Sequence, residues 1–141
     1  MHIAAIQWPV FSPYLKSTVE IYVSGCNRNC KGCHNPELQN FEYGEELDIE
    51  KLVNYLKERE EFFSIISITG GDLLEQNPTE AFNFIKELKI NFPTKIFYLF
   101  TGDEKEKCLG WVLDYFDYIK VGCYDEKLKQ EGFHLAQIKS Y

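Results

Sequence analysis

The chain has 141 residues, 45% of them apolar and 26% charged, a balance that suits one folded domain and excludes a disordered chain. Fifteen Lys and Arg against 22 Asp and Glu leave a net charge of −7, which argues against a nucleic-acid partner, because phosphate-backbone binding needs a basic face. No apolar run nears the roughly 18–20 residues that span a bilayer, and the first residues lack the basic-then-apolar form of a secretory signal, so the expected setting is cytoplasmic with no membrane partner.

In chain order, residues 3–8 allow an edge strand or one arm of a hairpin, limited by Pro9 and Pro13. The first strong strand signal is TVEIYV at 18–23, and Ser24-Gly25-Cys26 follows it directly. Ile49, Leu52, Val53 and Leu56 then fall at i, i+3, i+4, i+7 behind Asp48, the pattern of a capped amphipathic helix. FFSIISIT at 62–69 reads as a strand and ends in Gly70-Gly71-Asp72. Asn77-Pro78-Thr79-Glu80 has the form of a capping box ahead of a second stripe, Ala81, Phe84, Ile85 and Leu88. KIFYLFT at 95–101 is a third strand, closed by Gly102-Asp103. A third stripe, Leu109, Val112, Leu113 and Phe116, starts behind Asp103 and Glu104, and YIKV at 118–121 leads into Gly122-Cys123-Tyr124.

Strands alternating with helices predict an α/β domain with a mainly parallel sheet and right-handed crossovers, occupying residues 1–141 as one unit. The middle strands are apolar without strict alternation, as expected where both faces are covered. Four such units are too few for a closed eight-unit barrel of about 250 residues, which leaves an open partial (βα) barrel or a small open sheet. In both, ligands gather at the carboxyl ends of the strands. The four glycine-bearing loops fall at those ends.

Three of the five cysteines, Cys26, Cys30 and Cys33, lie within eight residues at C-x3-C-x2-C spacing. An odd total with this crowding is awkward for disulfides, and thiolates are the ligands of iron–sulfur clusters. Cubane clusters usually take four thiolates, so three would leave one iron open for chemistry. Arg28 and Lys31 either offset cluster charge or are simple loop charges. A structural zinc site with Cys108, Cys123 or His134 as the fourth ligand is the alternative, although such sites usually draw ligand pairs from two separated knuckles, and His34 is poorly placed beside Cys33. Cys108, next to the third stripe, reads as a small packing residue, and Cys123 more as packing than as ligand.

C-x3-C-x2-C directly after a first strand resembles the signature of the radical S-adenosylmethionine (radical SAM) superfamily. The longer string from Cys26 to Glu37, Cys-Asn-x-x-Cys-x-Gly-Cys-His-Asn-Pro-Glu, is similar to anaerobic ribonucleoside-triphosphate reductase activating proteins, which are small glycyl-radical activases. Gly70-Gly71-Asp72-Leu73-Leu74 resembles their Gly-Gly-Asp-Pro-Leu loop with Leu73 in place of Pro. Tyr98 to Gly102 and Phe116 to Tyr124 are weaker likenesses. The resemblance implies a radical SAM domain in which Cys26, Cys30 and Cys33 ligate a [4Fe-4S] cluster whose open iron chelates S-adenosylmethionine. It further implies that Gly70, Gly71 and Asp72, with Thr101 as a further neighbour, meet the cofactor, Asp72 pairing with its ammonium group. The implied reaction is reductive cleavage of SAM to a 5′-deoxyadenosyl radical that installs a glycyl radical on a partner such as the anaerobic ribonucleotide reductase large subunit, with a flavodoxin or ferredoxin as electron donor. Departures from the family are the C-terminal segment 132–141 and Gly32, where many superfamily members carry an aromatic residue. The competing functions are a small radical SAM enzyme acting on a small molecule, in the size class of deazapurine-ring synthases, and a zinc-bearing protein-interaction module.

Overall fold

A computed structural model describes residues 1–10, 17–26, 36–101, 111–120 and 138–140. Its strands are β1 (His2–Val10), β2 (Thr18–Val23), β3 (Glu45–Glu46), β4 (Ile65–Gly70), β5 (Ile96–Phe100), β6 (Tyr118–Lys120) and β7 (Ile138–Ser140). Its helices are α1 (Ile49–Lys57), α2 (Pro78–Asn91) and α3 (Trp111–Tyr115). The strands form one sheet in the order β3-β1-β2-β4-β5-β6-β7. The four inner strands β2, β4, β5 and β6 run parallel, and antiparallel strands flank them on both sides. The expected mixed α/β architecture with a parallel centre is therefore present.

Both well-capped helices start where the sequence predicts. The Asp48 carboxylate accepts from the Lys51 N–H, and the Asn77 amide oxygen accepts from Thr79 and Glu80, with Pro78 at the first helical position. Glu80 lies 3.5 Å from the Met1 ammonium, which ties the start of α2 to the start of β1. The described α3 carries Val112 and Leu113 of the third stripe, and its predicted start at Asp103 lies outside the described residues.

One apolar layer joins the three helices to the sheet. Val19, Ile21 and Val23 of β2, Ile66 and Ile68 of β4, Phe97 and Leu99 of β5 and Ile119 of β6 meet Leu52, Leu56, Phe84, Ile85, Leu88 and Val112. Alternation along the strands turns Glu20, Tyr22, Ser67, Tyr98 and Tyr118 to the opposite face. Ile65 to Ile68 are all buried, which agrees with coverage on both sides of the central strand.

The N-terminal strand is the expected hairpin arm, antiparallel to β2, but it is longer than expected and does not lie at an edge. It runs from His2 to Val10, through Pro9 behind a cis Trp8–Pro9 bond, and is internal to the sheet, between β3 and β2. Proline at that point donates no ladder hydrogen bond, and the register shifts between Gln7 and Val10. The two-residue β3 and the C-terminal β7 carry too little pattern to be recognised from sequence. No helix among the described residues is long and apolar enough to cross a membrane.

Candidate functional site

Parallel register brings the strand ends together. Val23 pairs with Gly70, Ile68 with Leu99, and Phe100 with Lys120, so β2, β4, β5 and β6 finish along one edge of the sheet. Cys26, partly exposed, stands three residues beyond the end of β2. Cys30 and Cys33 lie outside the described residues, as do Arg28, Lys31, His34, Gly102, Cys108, Cys123 and His134.

The backbone around Cys26 is held from several sides. Ser24 N–H donates to His2 O at 3.0 Å, Gly25 N–H to Leu38 O at 2.7 Å, and Cys26 N–H to Gln39 O at 3.3 Å. Leu38 and Gln39 belong to the short 3-10 turn Pro36–Gln39 just beyond the cysteine segment, so the residues entering and leaving that segment are stitched to each other. The Ser24 side chain, fully buried, donates to Tyr43 O.

The Gly70-Gly71-Asp72 turn lies directly against this anchor. Gly71 N–H donates to Val23 O at 2.7 Å, and Asp72 N–H to Gly25 O at 2.9 Å. Glycine is required for the approach: a Cβ on Gly71 would stand 2.6 Å from Gly25 O and 2.7 Å from Gly25 N. Gly70 has φ of +103°, and a Cβ there would lie 2.7 Å from Val23 O. The glycine pair expected from sequence therefore permits backbone-to-backbone packing between the first cysteine and the neighbouring strand end.

Asp72 is 1% exposed. Its Oδ1 accepts from Leu74 N–H at 3.0 Å, capping the 3-10 turn Leu73–Glu75, and the Thr101 hydroxyl lies 2.8 and 3.0 Å from its two carboxylate oxygens. Thr101 N–H donates to Lys120 O at 3.0 Å. The edge is thus joined from Cys26 through Asp72 and Thr101 to the end of β6. Thr101, predicted as a neighbour on a weak loop signal, is a buried partner of Asp72.

Sequence reasoning overlooked Gln76. It sits between the Gly-Gly-Asp turn and the α2 cap, and its side-chain amide reaches Ser24 O at 2.9 Å, Asp72 O at 3.0 Å and Gly25 O at 3.2 Å. Three converging carbonyls identify the atom facing them as the amide nitrogen. A polar residue one position before a helix cap was the available signal, but a surface cap explains it equally well.

The sheet face away from the helices holds a second polar set, also without a motif. Gln7 pairs with Glu20 across β1 and β2, and the Tyr22 hydroxyl lies 3.2 Å from Gln7 Oε1 and 3.4 Å from Glu20 Oε1. Burial raises the Glu20 carboxyl above its ordinary range, outweighing the Tyr22 hydrogen bond, which lowers it. Burial and then the Glu20 charge push Tyr22 up to about 12. Tyr98, stacked between Phe100 and Tyr118, is raised by burial and by Tyr118. Lys120, with its ammonium 5.4 Å from the centre of the Phe100 ring, is lowered by burial. All four groups are biased toward their neutral forms.

The donor set fits an iron–sulfur cluster: three cysteines in one short segment, the first of them partly exposed at a strand end where neighbouring backbone approaches closely. Comparison with known proteins agrees. Residues 17–139 match the family described as 4Fe-4S single cluster domain. The chain is 31% identical over 115 residues to the anaerobic ribonucleoside-triphosphate reductase-activating protein of Enterobacteria phage T4, covering 78% of this chain and 72% of that one. It is 30% identical over 104 residues to the protein of that name from Haemophilus influenzae, covering 69% and 67%, and 26% identical over 123 residues to that of Vibrio cholerae, covering 79% and 77%.

Proposed function

This chain belongs to the 4Fe-4S single cluster domain family, together with anaerobic ribonucleoside-triphosphate reductase-activating proteins, and from that premise we propose that it is a radical SAM activase occupying residues 1–141 as one domain. The observation that carries the reading is the contact of the Gly70-Gly71-Asp72 turn with the backbone leading into Cys26, through Gly71 to Val23 and Asp72 to Gly25. In this reading Cys26, Cys30 and Cys33 hold a [4Fe-4S] cluster, and Gly70, Gly71, Asp72 and Thr101 bound the place of the methionyl end of S-adenosylmethionine. A cluster held by Cys26, Cys30 and Cys33 would, when bound and reduced by an external donor, supply the one-electron reductive cleavage of SAM.

The protein's own part is placement and protection. The glycines let the turn approach without side chains between it and the cysteine segment. Asp72, expected to pair with the cofactor's ammonium, has a carboxylate nearly wholly enclosed by Leu74 N–H and Thr101, so in this reading it acts through the turn that it caps and through Thr101. The parallel strands with helices on one face support an open partial barrel. Its inner face is then the one carrying Glu20, Tyr22 and Tyr98. The hydrogen donor is a glycine of a partner, with an anaerobic ribonucleotide reductase large subunit as the leading candidate and a flavodoxin or ferredoxin supplying electrons in the cytoplasm.

Anaerobic reconstitution with iron and sulfide tests this directly. The expected outcome is a brown absorption bleached by dithionite, reductant-dependent 5′-deoxyadenosine, and an electron paramagnetic resonance doublet on the reductase subunit. A colourless protein with stoichiometric zinc overturns the reading. Deoxyadenosine formation that depends on an added small molecule and not on any protein partner redirects it to a small-molecule substrate.

A further inference from the structure

We propose that Gln76 is the positioning residue that locks the backbone leading into Cys26, at Ser24 and Gly25, to the Gly70-Gly71-Asp72 turn. The residue is 8% exposed, and its amide nitrogen faces three carbonyls: Ser24 and Gly25, immediately before Cys26, and Asp72. Two amide protons serve three acceptors, so at least one bond is shared. The direct bonds Gly71 N–H to Val23 O and Asp72 N–H to Gly25 O join the same two segments. Those bonds lie along the backbone, and a backbone ladder at a strand end frays readily. Gln76 adds a side-chain bridge from outside the ladder and supplies donors to Ser24 O and Asp72 O. Its reach is fixed by the Asp72-capped turn Leu73–Glu75 just before it and by the Asn77 cap of α2 just after it. A residue held at both sides can transmit the position of α2 to the backbone that presents the first thiol.

The assignment to the site rests on the proposed function, whereas the lock itself does not, and the test separates the two. Gln76→Glu keeps the shape and replaces the donors with oxygens facing three carbonyls. Gln76→Met removes the donors without adding charge and serves if the glutamate variant fails to fold. Gln76→Asn retains the donors on a shorter arm. Amide hydrogen exchange on the metal-free protein is expected to show faster exchange in peptides covering 23–26 and 70–76 for Gln76→Met, with wild-type protection over 84–88 and 97–99 and partial recovery in Gln76→Asn. Unchanged exchange at 23–26 and 70–76, or an equal loss everywhere, overturns the lock. In reconstituted protein, the change that SAM produces in the electron paramagnetic resonance spectrum of the reduced cluster should need at least about tenfold more SAM in Gln76→Met, a factor equivalent to about 1.4 kcal/mol. Local exchange changes together with a wild-type SAM response would leave the lock standing and refute its role in cofactor positioning. Absence of any SAM response in the wild type would refute the activase reading while the exchange result still decides the lock.

Discussion

The layer between helices and sheet and the carboxyl edge of the sheet are both buried, yet they are built differently. Behind the sheet, Val19, Ile21, Ile66, Ile68, Phe84, Leu88 and Leu99 are fully or almost fully buried and need only shape and apolarity from one another. At the edge, Ser24, Asp72, Gln76 and Thr101 account for four of the six buried polar residues among those described, and each is fixed by a named hydrogen bond. The apolar layer can exchange one side chain for another of similar volume at modest cost. The edge cannot, because removing one partner leaves a buried donor or acceptor unsatisfied. The first region contributes through apolar burial, and the second contributes through specific partners that also fix position.

The sharpest break of that contrast is in the cysteine segment. Cys30→Ala should abolish reductant-dependent 5′-deoxyadenosine formation, whereas Cys108→Ala should leave it near wild type, both measured on anaerobically reconstituted protein. Equal losses would mean that the segment is no more special than the rest of the chain. Phe84→Ala comes next: truncating a ring with 2% exposure should lower unfolding free energy by about 3–5 kcal/mol in denaturant titration. Its iron content per folded molecule should stay at the wild-type level, and a selective loss of iron would place site geometry under the control of the core.

Periodicity explains what the sequence revealed and what it hid. The capped helices repeat a spacing, and the four parallel strands stand out as short β-branched and aromatic apolar runs, so both are legible without any contact being known. The Gly-Gly-Asp turn was legible because it follows a strand. Its glycines are needed for a contact with Gly25, 46 positions earlier, which no local window contains. Gln76 and Glu20 were not legible, since a single polar residue in a cap or on a strand gives no sign of what lies opposite. The internal position of β1 was likewise hidden: Pro9 argued for an edge, and pairing with the short β3 involves only His2 and Ile3.

Smaller effects probe the edge alone. Gly71→Ala puts a methyl 2.6 Å from Gly25 O, so the turn must move away, at about 1–3 kcal/mol of stability. SAM binding, read from the cluster spectrum, should weaken more than thermal stability falls. Thr101→Val keeps the side-chain volume and removes the hydroxyl from Asp72, for about 1–3 kcal/mol. If Thr101→Val melted with the wild type, the Asp72 link would carry no weight and the edge would resemble an ordinary surface.

The smallest expected effect concerns Glu20, whose folded carboxyl is raised above the usual value of 4.5, mainly by burial. A raised folded value means that the native chain binds the proton more tightly than the unfolded chain does. The stability linked to protonated Glu20 is therefore full below pH 4.5 and is lost as pH rises through the folded value. Glu20→Gln imitates the protonated form and preserves an oxygen that can accept from Tyr22. Its melting temperature relative to wild type should thus change little at acid pH, rise through the window above 4.5, and then level off toward neutrality, by a modest amount because Glu20 is only half-buried. A difference that is constant across this range, or that falls with rising pH, would show that burial does not govern Glu20. Glu20 would then be as well solvated as a surface carboxylate, in contrast with the enclosed Asp72.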